Sequence, residues 1–258
     1  MSTLVLFEGS FRRAVIEMRR YAVDTISGIV TIFGFFVILF FGARAFGGGR
    51  PGFGNTLAAL VVSYALWSLV QFTLSTLTFE LTQEAQLGTL EQLGMSPFGL
   101  VRVLLARVLT ILTVYVGMTI VLLVLMMATT GRWLNLAPLS TLPILGLTIL
   151  GVEGLGFMLG GVAIVFKRIQ QVMQAWQIVV FGLIAAPVNR VPFTKYLPLT
   201  WGATLLRRVM VDKASITSMP AGDVLFLVAN SVFYFGLGIL VFRRFERVAR
   251  EQGLLGHY

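Results

Sequence analysis

The chain has 258 residues, 57% of them hydrophobic and only 12% charged, with a mean hydropathy of +0.89. A soluble domain is about a quarter charged, so the simplest solvent that tolerates this chain is lipid. The absence of cysteine removes disulfides, thiolate catalysis and Cys-ligated metal sites, while the net charge of +9 reads as basic flanks of apolar segments rather than as a nucleic-acid surface.

Residues 4–22 carry a helical period. Leu4, Phe7, Phe11, Ala14, Val15, Met18, Tyr21 and Ala22 share one face, and Arg12, Arg13, Glu17 and Arg20 the other, with Arg19 adding to the basic character. Such a basic amphipathic stretch predicts an interfacial helix over 1–24 that lies on the membrane; a soluble helix packed on a partner is the alternative. The first span is expected from Ile26 to Ala45. Ala43-Arg44-Ala45 has the form of a signal-peptidase site, but the long polar n-region and five further apolar segments favour an uncleaved helix.

A glycine-rich loop, Gly47 to Gly52, precedes the second span, Thr56 to Phe79. The third runs from Phe98 to Thr129, longer than the bilayer core needs, with Arg102 and Arg107 in its protruding first turns. The fourth is Pro143 to Phe166, ended by Lys167 and Arg168, and the fifth is Val172 to Val188. The connection 189–222 is rich in proline, and its middle, Leu199 to Val211, predicts one or two short external or re-entrant helices. The sixth span, Val224 to Phe242, continues as a basic helix from Arg243 to Arg250, inside a tail 243–258 that includes the lone His257, which reads as solvated.

The expectation is therefore an all-α integral membrane protein in one domain, 1–258: six transmembrane helices, an N-terminal amphipathic interfacial helix, and short external helices between spans five and six. With six spans both termini share a side. That side carries twelve of the twenty Lys and Arg; five of the other eight lie in the long 189–222 connection, which weighs less in the positive-inside rule. Both termini are expected in the cytoplasm, in the cell membrane.

The segment 80–97 between spans two and three is short, acidic and helix-prone. Leu87, Leu90 and Leu93 fall on one side, Glu84 and Glu91 on others, and Gly94 and Pro97 stop it. Its acids suit an anionic leaflet poorly, whereas a protein groove with a basic rim suits it well. The run Glu84-x-x-x-Gly88-Thr89-Leu90-Glu91-Gln92-Leu93, with Ser96-Pro97 after it, resembles the cytoplasmic signature of ABC-2 type permeases, the membrane subunits of a class of ABC exporters. The six spans, the long link between spans five and six, Phe166-Lys167-Arg168 and Leu197-Pro198-Leu199-Thr200 agree with that resemblance.

The resemblance implies that Glu84, Leu87, Gly88, Thr89, Leu90, Glu91 and Leu93 form a coupling helix that docks on an ATPase subunit. It also implies a dimer with a second copy or close paralogue, and a path along spans one, two and five. ATP and magnesium would sit on the partner subunit. This chain has no Gly-x-x-x-x-Gly-Lys-Ser/Thr run, none of Lys167, Lys195 and Lys213 follows a glycine, and no cofactor of its own is expected.

Within the spans Glu153 is the one deep acid, a substrate, cation or proton site, or else a carboxyl bonded to a neighbouring helix or lying nearer the interface. Gly151, Gly154, Gly156, Gly160 and Gly161 predict close helix packing. Asp223 reads as a helix cap, and Trp67 and Trp176 as candidates for a translocation surface. The resulting expectation is an exporter subunit moving a lipophilic drug, lipid or lipid-linked glycan. The alternatives are an ATPase-independent channel or secondary transporter, and a non-transporting partner in an assembly or sensing complex. A membrane enzyme would show clustered His, Asp, Glu or Cys, which this sequence lacks.

Overall fold

The computed structural model describes residues 16, 20, 22–47, 53–86, 100–165, 170–186, 188 and 191–251, and all regular structure among them is helical. Seven α-helices follow in order: α1 (Ala22–Gly47), α2 (Phe53–Gln86), α3 (Leu100–Thr130), α4 (Pro138–Val165), α5 (Gln170–Ala185), α6 (Thr200–Met210) and α7 (Ala221–Glu251). The 3-10 turns Pro192–Tyr196 and Ile216–Ser218 flank α6. Five of these helices, α1 to α4 and α7, are long and apolar enough to cross a membrane.

Several boundaries differ from the sequence expectation. Past the apolar span α2 runs unbroken through Gln86, so it takes in the start of the helix-prone segment, because nothing between Phe79 and Gln86 breaks a helix. The fourth begins at Pro138 rather than Pro143. Proline suits the first helical position, and the Ala137 carbonyl accepts from the Ser140 and Thr141 N–H groups, both at 2.9 Å. The fifth is shorter than a bilayer core of about 30 Å; its 16 residues span about 24 Å. The last follows the expectation: the span continues without a break into its basic stretch, and α7 is one helix of 31 residues. Residues 22–24, placed in the interfacial segment, open α1. The rest of that segment, apart from Ile16 and Arg20, which are helical and exposed, lies outside the described residues.

The bundle is organised around α4, whose stretch from Gly151 to Phe157 is buried at every position. Its glycines explain how. A Cβ on Gly154 would lie on the Tyr234 carbonyl, one on Gly238 would lie on the Gly154 backbone, and one on Gly161 would come 3.2 Å from the Phe242 Cα. Small residues let the two backbones touch, the main source of helix association where lipid and side chain are equally apolar. The pairs Gly151–Ser231, Gly154–Tyr234 and Gly161–Phe242 rise together in number, so α4 and α7 run parallel. The stretch between them must carry the chain back.

At one end of this pair Leu104 and Val108 of α3, Phe157 and Ile164 of α4, and Phe242 and Ala249 of α7 form a buried cluster. The basic end of α7 is thereby seated on the bundle. At the other side α1 leans on α2 through Phe36, whose ring lies 5.3 Å from that of Tyr64. The Tyr64 hydroxyl donates to the Ile32 carbonyl at 2.8 Å.

Candidate functional site

Of the residues expected to dock on a partner, Glu84 is described; Leu87, Gly88, Thr89, Leu90, Glu91 and Leu93 lie outside the described residues. What precedes them is informative. The apolar part of α2 is Thr56–Ser75, and the helix then continues to Gln86, about 16 Å further. Near its end the Glu84 carboxylate accepts from the Arg107 guanidinium at 3.0 Å, with both side chains less than one-fifth exposed. Arg107 sits in the second turn of α3. The two helices that bracket the 87–99 segment are thus pinned to one another. The sequence marked Arg107 as a charge in a protruding turn but gave no sign of its partner, which lies 23 residues away.

Glu153 lies where the sequence placed it, in the interior of α4, and is 3% exposed. Neither carboxyl oxygen has a hydrogen-bond partner among the described residues. Among the described residues the carboxyl therefore makes no bond to a neighbouring helix. The indole nitrogens of Trp67 in α2 and Trp176 in α5 are likewise buried without a hydrogen-bond partner among the described residues, and both rings pack on the main apolar cluster. Arg20 is exposed; Arg12, Arg13 and Arg19 lie outside the described residues.

The link between α5 and α7 holds a constellation that the sequence did not reveal. The Asp223 carboxylate faces the Arg208 guanidinium at 3.2 Å and the Lys195 ammonium at 3.7 Å, so it is an ion-pair hub rather than the expected cap. Lys195 also stands 4.1 Å over the Trp201 ring and 4.6 Å over Phe226, and Trp201 Nε1 donates to the Asp223 carbonyl at 3.0 Å. Two cations meet one anion and aromatic faces, which stabilise cations through the ring quadrupole. The result is a local charge excess held rigid by α6.

This link is inserted beside the helices rather than laid over their ends. Gly202 of α6 abuts the Thr148 side chain, ten positions past Pro138 and so about 15 Å along α4. The Asn135 N–H donates to the Met210 carbonyl at 3.0 Å, at the opposite end of α6. The Tyr196 carbonyl accepts from Asn230 at 2.8 Å and Tyr234 at 3.2 Å, well inside α7. The helix start at Leu199, with a φ of 74°, shows the backbone bent sharply to enter α6. Among the described residues no cluster of His, Cys, Asp and Glu has the form of a metal site. No protein-family model matches the chain, and no curated protein matches it.

Proposed function

We propose that this chain is the membrane subunit of an ABC-2 type exporter, driven by ATP hydrolysis on a separate polypeptide. The observation that carries the proposal is the unbroken course of α2, from an apolar stretch of membrane-spanning length buried in the bundle into a continuing end pinned to α3 by Glu84 and Arg107. A rigid helix that leaves the membrane and leads directly into the acidic, leucine-faced segment 87–93 is a physical means of passing a partner's movement to the bundle. In this reading both termini are cytoplasmic and the segment docks on the ATPase. Six crossings complete the fold, since the parallel course of α4 and α7 requires a return between them. α5 together with the inserted link supplies that return.

A second copy of the chain would pair along α1, α2 and α5. The exposed apolar residues of α1, among them Ile26, Val30, Phe35 and Ile38, suit either lipid or such a seam. The indole N–H groups of Trp67 and Trp176, which have no hydrogen-bond acceptor among the described residues, lie on two helices that touch one another and support a path along α2 and α5 for a lipophilic cargo bearing a hydrogen-bond acceptor.

The test is association. Tagged chain is purified from its native membranes in mild detergent, copurifying polypeptides are identified by mass spectrometry, and ATP hydrolysis is assayed in the eluate. A polypeptide with the Gly-x-x-x-x-Gly-Lys-Ser/Thr motif is expected with wild type and lost with Glu84→Lys/Leu90→Asp. An ATPase that stays bound and active with the double variant overturns the docking role; wild type that brings down no ATPase overturns the exporter reading.

A further inference from the structure

The outer walls of α2, α3, α4 and α6 leave a groove of about 330 Å³. Its floor is formed by residues such as Ala65, Leu69 and Leu206, all buried, and its rim by Ile120, Val124 and Leu142, all exposed. The rim residues belong to the apolar stretches Val103–Thr130 and Pro138–Val165, so the mouth opens on the same face that those helices offer to hydrocarbon. Along α3 the groove reaches from Val124 to Val116 and along α4 from Pro138 to Leu145, about 10–12 Å of helix.

Two hydroxyls border it. Thr141 Oγ1 is satisfied by the Leu136 carbonyl at 2.6 Å, and Thr119 Oγ1 is buried without a partner among the described residues. A water needs two to four polar partners, and apolar cavities of even about 150 Å³ stay dry and take apolar guests. Water is therefore a poor occupant. Its floor is buried beneath an exposed rim, and a recess of about 330 Å³ does not admit a helix of a second chain, which is about 10–12 Å across with its side chains. An extended hydrocarbon chain fits both its volume and its apolar lining.

The end of the groove next to Leu136 and Pro138 adds a charge. The loop that joins α3 to α4 turns at Gly131, φ 65°, and then presents Arg132 and Trp133, both exposed, with no acidic residue between 131 and 137. The Asn135 N–H bond to Met210 holds this loop against α6, whose Met210 also lines the groove. An interfacial indole and a cation at the open end of a hydrocarbon slot are complementary to a lipid whose phosphate lies at the interface.

We propose that this groove holds one acyl chain of a membrane phospholipid, with the lipid phosphate at Arg132. The site is distinct from the path along α2 and α5, and it depends on the chain's residence in a bilayer but not on the partner ATPase.

The experiment uses the full chain, delipidated in detergent, with dioleoyl phosphatidylglycerol, dioleoyl phosphatidylcholine or free oleate added in turn, read by native mass spectrometry and by the melting temperature. Wild type is expected to retain one phospholipid and to melt higher with it, since a ligand that binds the native state alone stabilises it. Val116→Trp and Leu142→Trp, filling the groove from opposite walls, are expected to lower retention at least tenfold. Leu240→Trp on the exposed face of α7 serves as the control that leaves retention unchanged. Arg132→Glu is expected to weaken phosphatidylglycerol several-fold more than oleate. Equal retention by both filled variants that still melt cooperatively overturns the site, as does wild type that retains no lipid. Oleate bound as well as either phospholipid overturns the phosphate contact. Copurification of the ATPase is read separately, so a failure here leaves that proposal standing.

Discussion

Glu153 is a side chain at odds with its surroundings. A carboxyl that is 3% exposed and has no hydrogen-bond partner among the described residues gives up its hydration without recovering it. Replacing an unsatisfied buried polar group with an apolar one of similar shape is neutral or favourable to stability. Glu153→Leu is therefore expected to raise stability by about 1–3 kcal/mol, seen as a higher melting temperature in detergent, with Glu153→Gln giving less because its amide is also unsatisfied. A fall in melting temperature for Glu153→Leu at normal expression would mean that the carboxyl has a structural partner. The sequence singled out this residue because an acid stands out in an apolar run. It could not show the absence of a partner, which depends on which helices surround α4. Asp223 shows the converse: its place at a helix start was legible, but the pairing with Arg208 and Lys195 arises from the insertion of the link.

Among the helices, α2 and α3 were legible as candidate spans from hydropathy, and Arg107 was legible as a charge in the first turns of α3. Their mutual clamp was not. Glu84 and Arg107 are 23 residues apart in the chain, and only the packing of α2 on α3 brings them to 3.0 Å. A charge-assisted hydrogen bond between side chains this shielded is worth about 1 kcal/mol or somewhat more. A double-mutant cycle on Glu84→Gln and Arg107→Gln is expected to yield a coupling energy of that size by chemical denaturation. The exchange Glu84→Arg/Arg107→Glu is expected to recover part of it. A coupling energy indistinguishable from zero would show that the two helices are held by their apolar contacts alone. α5 differs again: its apolar composition predicted a full span, while the helix itself has only 16 residues.

For the whole molecule the testable quantity is the number of crossings. The chain has no cysteine, so single cysteines can be introduced without removing native ones. Arg20→Cys, Thr217→Cys and Glu251→Cys all place the thiol at exposed positions. With six crossings, a membrane-impermeant maleimide applied to intact cells is expected to label Thr217→Cys, and Arg20→Cys and Glu251→Cys only after permeabilisation. Opposite accessibility of Arg20→Cys and Glu251→Cys would mean an odd number of crossings and would remove the return that α5 and the link are proposed to make.

The sequence alone determined the solvent and the approximate positions of the long helices, because hydropathy is a property of each segment and does not depend on its neighbours. It also located the glycines that permit contact, but not the contact, since both lipid and protein interior are apolar and no periodicity marks the packed face. Tertiary structure decided that α7, rather than another helix, lies in backbone contact with α4. It also decided that the link enters beside them, that Lys195, Arg208 and Asp223 meet, and that four helices leave a slot with Arg132 in the loop at one end. Each of these joins residues far apart in the chain, and which of them meet is fixed by helix pairing rather than by local composition.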